Sequence, residues 1–354
     1  MPVPGIFITF KTTAADVIAR SEKGTVALLI RDSAQNGALT LTRASQIPEG
    51  LSAENKAYIQ RAFTGYVTAP KKVLVYVDTA ESENLTEGLK WAATQQFDYL
   101  CGPPDIKPNE AQAVVAWVKE ERQKNHMVKA VLPDQKADSE AIINFTTKDI
   151  KAYEATNTAA QYCSRIAGLI AGTPMSMACT YAPLTEVEDF TRLSSEAADA
   201  AVDAGELILI YDGVKAKIAR GVNSLTSTTK DKGAPFQKIK IVELLDMVFT
   251  DLQQSIADSY IGKYANSYDN KLVLVTAVKT YLESLERDGL IQSGSSAVEI
   301  DVDAQEAWLK ENGVDTSDMD DQALREANTD AQVFLKVAFQ PLDAIEDVHI
   351  PIMV

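Results

Sequence analysis

"TVALLIRD" (residues 25–32) is a nearly continuous apolar run of strand length, bounded by Gly24 and by the polar residues after it. A strand apolar on both faces belongs in the middle of a sheet covered on both sides. The flanking sequence supplies the cover. "SAENKAYIQRAFTG" (52–65) has a helix-capping serine and a terminal Gly65, and "KKVLVYVD" (71–78) is a second buried strand. The rhythm continues through a helix in "NLTEGLKWAATQ" (84–95) and a strand in "FDYLCG" (97–102). "KPNEAQAVVAWVKEERQKN" (107–125) reads as a helix capped by Asn109, with Ala113, Val114, Trp117 and Val118 on one face. "HMVKAVLP" (126–133) and "EAIINFTT" (140–147) read as strands. "ATNTAAQYCSRIAGLIAGTP" (155–174) reads as a helix stopped by Gly172, with Gly168 allowing close helix packing. Strands alternating with helices predict an α/β domain over 21–190, a mostly parallel sheet with helices on both faces.

Beyond about residue 190 the pattern changes. "ELILIYDGVKAKIARG" (206–221) is a hairpin signal about a Tyr-Asp-Gly turn. Two long helical patterns follow at 238–260 and 268–289, then a strand at 296–303 and short acidic helices. "AQVFLKVAFQP" (331–341) alternates at Val333, Leu335, Val337 and Phe339. This order predicts a C-terminal α+β domain over 191–341.

Both ends carry extended apolar segments. "MPVPGIFITF" (1–10) alternates at Ile6, Ile8 and Phe10, within an arm and linker over 1–20. "IEDVHIPIMV" (345–354) places Val348, Ile350, Ile352 and Val354 on one side, within an arm over 342–354. Unpaired apolar strands attract other chains. Pro351 lacks an N–H, so one side of its strand cannot carry a continuous ladder. Two such ends on linkers are the design of a strand-exchanging polymer.

Chemistry is sparse. The two histidines are His126, opening a strand, and His349, in the tail, and no G-x-S-x-G elbow accompanies them. "DVDAQEAWLKEN" (301–312) begins like a calcium loop but has Glu306 where the sharp turn needs Gly. Cys101, Cys163 and Cys179 have no metal or disulfide spacing and read as buried small hydrophobes. No catalytic, cofactor-binding or metal-binding set emerges. The chain has 50 acidic and 34 basic residues, net −16, which opposes nucleic-acid binding. Mean hydropathy is −0.10, and no run reaches the ~20 apolar residues of a membrane helix. No secretory signal is visible.

Five stretches carry a family resemblance: "PGIFITF" (4–10), "QYCSRIAGLIAGTPMSMACTYAPLTEVED" (161–189), "VKAKIARGVNSLTS" (214–227), the paired helices of 239–291, and "VFLKVAFQPLDAIEDVHIPIMV" (333–354). Together they resemble the contractile tail sheath proteins of bacteriophages and phage-tail-like bacteriocins. The resemblance implies a non-enzymatic subunit of a helical polymer, stacked as six-fold rings around an inner tail tube protein. It implies terminal arms that add strands to neighbours' sheets, and a contraction that drives the tube through a cell envelope. It further implies a subtilisin-like but non-catalytic larger domain, and baseplate and tail-terminator proteins as partners. Nucleic acid and membrane insertion have no part in it. Assembly would take place in the bacterial host cytoplasm, within a released tail or tail-like particle. The chain is short for the family, leaving little room for the outer domains of longer relatives. The competing reading is an α/β hydrolase-like enzyme whose apolar ends pair within one chain.

Overall fold

The computed structural model describes residues 18, 20, 23–230 and 232–353. Ile6, Ile8, Phe10 and Val354 lie outside them, as does nearly all of the expected 1–20 arm and linker. The chain separates into two compact units. The larger comprises Ser21–Phe249 with Asp343–Val354, and the smaller Thr250–Leu342 with the described Ile18 and Arg20. The division runs inside one long helix, whereas the sequence reading drew its boundary at 190.

The first half of the larger unit contains β1 (Thr25–Asp32), β2 (Gly37–Leu41), α1 (Ala53–Thr64), β3 (Lys72–Thr79), α2 (Thr86–Ala92), β4 (Tyr99–Cys101) and α3 (Pro108–Gln123). Next come β5 (Lys129–Pro133), β6 (Ile142–Phe145), β7 (Ile150–Ala152), β8 (Ala155–Asn157) and α4 (Ala159–Ala171). The unit continues through β9 (Pro183–Leu184), β10 (Val187–Asp189), α5 (Ser195–Asp203), β11 (Glu206–Leu207), β12 (Leu209–Tyr211) and β13 (Ala216–Ile218) into α6 (Ile239–Ser259).

One seven-stranded sheet has the order β11-β6-β5-β4-β1-β3-β2. Its pairings are parallel except for β2 against β3. The run that announced the sheet behaves as its composition requires. Val26, Leu28 and Ile30 join the core formed with α1 and α4, while Ala27 and Leu29 join the core formed with α2 and α3. A strand's side chains alternate between faces, so a strand covered on both sides must be apolar throughout.

Local signals set the helix ends. Ser52 accepts from the Asn55 N–H, and Gly65 follows α1 at φ 64. Thr158 and Gln161 form a reciprocal capping box at the start of α4. The expected helix over 155–174 therefore begins later, because 155–157 pair as β8 with β7. Asn109 is not the cap of α3; that position is Lys107, with Pro108 in the first turn. Proline's fixed φ suits the first helical position, and Glu110 accepts the Lys107 N–H at 2.9 Å.

Gly168 lets α1 and α4 touch: a Cβ there would lie 2.0 Å from the Ala62 carbonyl oxygen. Gly168→Ala forces two backbones apart and is expected to cost about 3 kcal/mol. Thermal unfolding followed by circular dichroism reads this as a clear drop in Tm; an unchanged Tm would contradict the packing described. Gly172 ends α4 at φ −86, so it needs no left-handed freedom. Its lack of a side chain admits the Thr68 carbonyl oxygen, 2.1 Å from where a Cβ would sit.

The expected hairpin forms as β12 and β13. Asp212 accepts from the Val214 and Lys215 N–H groups at 2.9 Å each, and these bonds pull its carboxyl down to about 2. The first two residues of the same apolar run, β11, instead pair with β6 at the edge of the large sheet.

In the smaller unit, the end of α6 is followed by α7 (Tyr268–Arg287), β14 (Ala297–Ile300), α8 (Val302–Glu311), α9 (Asp321–Glu326) and β15 (Leu335–Ala338). Leu274, Val278, Leu282 and Leu285 form the buried face of α7. Buried Lys271 donates to Gln305 Oε1 and Thr329 Oγ1, each at 3.1 Å. Asp301 caps α8 through the Ala304 N–H, so the residue that resembled the start of a calcium loop acts as a helix cap. Strands β14 and β15 pair antiparallel from Ala297↔Ala338 to Ile300↔Leu335. No helix among the described residues is long and apolar enough to cross a membrane.

Candidate assembly interface

The interface expected from the sequence has three parts. The first, Ile6, Ile8 and Phe10, lies outside the described residues. The second is the alternating segment around β15. Leu335 and Val337 lie on the strand, and Val333 and Phe339 flank it. Val333 and Val337 are exposed, while Leu335 and Phe339 are half-buried. Phe334, on the opposite phase, packs near Trp308 with ring centroids 6.4 Å apart. The sheet has only two strands, so each strand has an outer edge with no strand partner among the described residues.

The third part is the C-terminal arm. Val348 is 66% exposed, Ile350 74% and Ile352 81%. Among the described residues, no backbone group bonds the backbone of 348–353, and no strand forms there. Val348, Ile350 and Ile352 thus lie on a segment that the described residues leave exposed, and His349, Pro351 and Met353 between and after them are exposed as well.

Immediately before it the chain is held. Lys238 pairs with Asp343 and, at 3.0 Å, with Glu346. Arg220 Nη2 reaches both Asp347 oxygens, at 2.7 and 2.8 Å. The Thr180 hydroxyl donates to Glu346. Hydrogen bonding to Asp347 raises the Arg220 pKa. At Lys238 burial acts downward, but the Asp343 and Glu346 carboxylates outweigh it and raise the pKa. Sequence reasoning placed 342–347 in the C-terminal arm and missed these contacts.

Of the residues weighed for chemistry, His126 and the three cysteines pack within the larger unit. His126 Nδ1 lies 3.0 Å from Glu121 Oε2, and Nε2 lies 3.0 Å from the Gln95 carbonyl oxygen. His349 is exposed in the arm. All three cysteines are buried and unbridged, and burial pushes the Cys179 thiol up to about 12.

Comparison with known proteins agrees with this architecture. Residues 78–224 match the phage tail sheath protein central domain, and residues 231–354 match the phage tail sheath C-terminal domain. The chain is 39% identical over 353 residues to the tail sheath protein of Clostridium phage phiCD119, covering 98% of this chain and 97% of that one. This chain belongs to the phage tail sheath protein family. Solved structures share the fold at low identity. The sheath tail protein from Desulfitobacterium hafniense superimposes with a TM-score of 0.70 at 18% identity, covering 84% of this chain and 94% of that one. The contracted helical sheath of the anti-feeding prophage gives a TM-score of 0.73 at 12% identity, covering 100% of this chain and 99% of that one.

Proposed function

We propose that this phage tail sheath family member is a structural subunit that polymerises by exchanging terminal strands. Two observations carry the reading: Val348, Ile350 and Ile352 are exposed on a segment with no strand partner among the described residues, and the β14–β15 sheet has edges with no strand partner among them either. In a polymer, residues 348–354 of one copy add to a sheet edge of another, with Val333, Leu335, Val337 and Phe339 on the receiving side. Ile6, Ile8 and Phe10 take the corresponding part at the other end. Main-chain hydrogen bonds supply adhesion, and alternate side chains supply specificity.

In this reading the subunits stack as six-fold rings around an inner tail tube protein, capped by baseplate and tail-terminator proteins. The larger unit carries the family's subtilisin-like arrangement in a non-catalytic role. Contraction drives the tube through an envelope, and the linked arms keep neighbouring copies connected meanwhile. Assembly takes place in the bacterial host cytoplasm. The net charge of −16 makes copies repel one another, so assembly speeds up with salt as screening shortens that repulsion. Negative-stain microscopy of concentrated protein tests the proposal. Hollow striated tubes or rings are expected; single particles at every concentration and salt level would overturn it.

A further inference from the structure

The chain is held at particular side chains. The Glu346 side chain is 7% exposed and Asp347 is ion-paired, whereas Ile345 is 89% exposed and, beyond the pairs, Val348 is 66% exposed. The groups that hold residues 343–347 are themselves fixed by backbone pairing. Val222 and Lys238 form a β-bridge, the Ile239 N–H donates to the Gly221 carbonyl, and the Tyr181 N–H donates to the Ile218 carbonyl. Thr180 Oγ1 accepts from the Gly221 N–H while its hydroxyl donates to Glu346. All of these residues belong to the larger unit.

We infer that Thr180, Arg220 and Lys238 are positioning residues that set the register of the C-terminal arm, by fixing Asp347 as the last held residue before it. The inference rests on the strand exchange proposed above. Side chains alternate along a strand with a period of two, so a slip of one residue turns Val348, Ile350 and Ile352 from the receiving face to the opposite one. Pro351 fixes the relation between the apolar set and the unusable N–H, but it does not fix either relative to the donor subunit. The ion-paired root does. It also limits reach: the seven residues 348–354 span at most about 23 Å at ~3.3 Å each, so the receiving edge lies within that distance of Asp347.

The test changes the length of chain between root and arm in the full-length protein. One serine is inserted between Asp347 and Val348 in one variant, and two in another. A third variant carries Lys238→Met and Arg220→Met, and a fourth combines those changes with the single insertion. A chain lacking 348–354 serves as the control for strand exchange. Circular dichroism establishes folding, and light scattering with microscopy follows polymerisation. The single insertion is expected to slow assembly at least tenfold, and the double insertion to recover most of the rate because it restores the phase. Releasing the root in the combined variant lets the arm slide and recovers part of the rate lost to the single insertion. Equal behaviour of the one- and two-residue insertions overturns the register role. So does an unchanged rate in the Lys238→Met/Arg220→Met variant. If the control fails to assemble while the single insertion assembles normally, the register role falls and strand exchange stands. If the control itself assembles, both fall.

Discussion

A chain shortened by residues 342–354 is expected to fold and yet form no tubes. Neither large core cluster draws on those residues. The shortened protein loses the Leu342 N–H bond to the Leu290 carbonyl, the exposed Asp347 and Asp343 pairs, and the contacts of the 7% exposed Glu346 carboxylate with Lys238 and Thr180. Exposed pairs contribute at most about 1 kcal/mol each. Glu346 leaves together with its charge, and its partners Lys238 and Arg220 are 29% and 35% exposed and regain water, so the Tm falls by several degrees while the cores stay folded. Assembly loses much more. Burying Val348, Ile350, Ile352 and Val354 yields about 1.5–3 kcal/mol each, roughly 6–12 kcal/mol in all. Ordering seven residues costs about 1–2 kcal/mol apiece, roughly 7–14 kcal/mol. One arm therefore sits near balance. A lattice in which each copy is engaged at several points holds, because later contacts form at high effective concentration. Removing every arm removes that cooperation, and light scattering should show no polymer even at concentrations well above those that suffice for the intact chain. Full-length tubes from the shortened protein would contradict the proposal.

The second large effect concerns folding. Asp246 on α6 is 7% exposed and accepts from Arg122 Nη1 and Nη2 at 2.9 and 2.7 Å and from Lys129 Nζ at 3.0 Å. Lys129, on β5, is itself buried and lies 5.2 Å from the centre of the Tyr99 ring. One turn earlier on α6, Glu243 accepts from the Tyr99 hydroxyl and from Lys23 Nζ, both at 2.7 Å. This network joins the start of α6 to α3, β4 and β5. Replacing Asp246 with Ala leaves Arg122 and Lys129 short of their shared counter-charge, a change that costs about 3–5 kcal/mol. The expected result is a fall in Tm of roughly 10 °C for a unit of this size. A Tm within 2 °C of the parent would show that the network contributes little. The same pair gives a pH dependence. Burial alone would raise the Asp246 carboxyl, but Lys129 and Arg122 overcome it and hold it below the ordinary carboxylate value. A lowered folded-state pKa stabilises the protein above the unfolded value of about 3.9, and the benefit fades as pH falls below it. The acid limb of the stability curve should therefore be shallower in Asp246→Ala than in the parent.

Much of the fold was legible because the deciding signals are local. The apolar run 26–30 places a strand at the centre of a covered sheet, and Ser52, Thr158 and Gly65 mark helix ends through contacts within a few residues. The sheet order and the fate of β11 were not legible. Apolar periodicity identifies a strand but not its neighbour, and 206–207 joins the large sheet while 209–211 turns into a hairpin. The apolar residues of the arm were legible for the same local reason: Val348, Ile350 and Ile352 stand at alternate positions of one short stretch, and the structure leaves them exposed. Its root was not. Asp343 and Asp347 look like the solvated acids of a linker, and their partners Lys238 and Arg220 lie 105 and 127 positions earlier. No short-range pattern connects them. The buried charges of α6 were hidden similarly, since Glu243 and Asp246 are ordinary acids on an amphipathic helix until their distant partners are in place.

The pairing of the arm between copies is tested most directly by a cryo-electron microscopy map of the polymer, traced through Asp347 to Met353. The account predicts that this segment is hydrogen-bonded to the β14–β15 sheet of another copy, with Val348, Ile350 and Ile352 facing one side. A map in which the segment folds back onto its own subunit and touches no neighbour would contradict it.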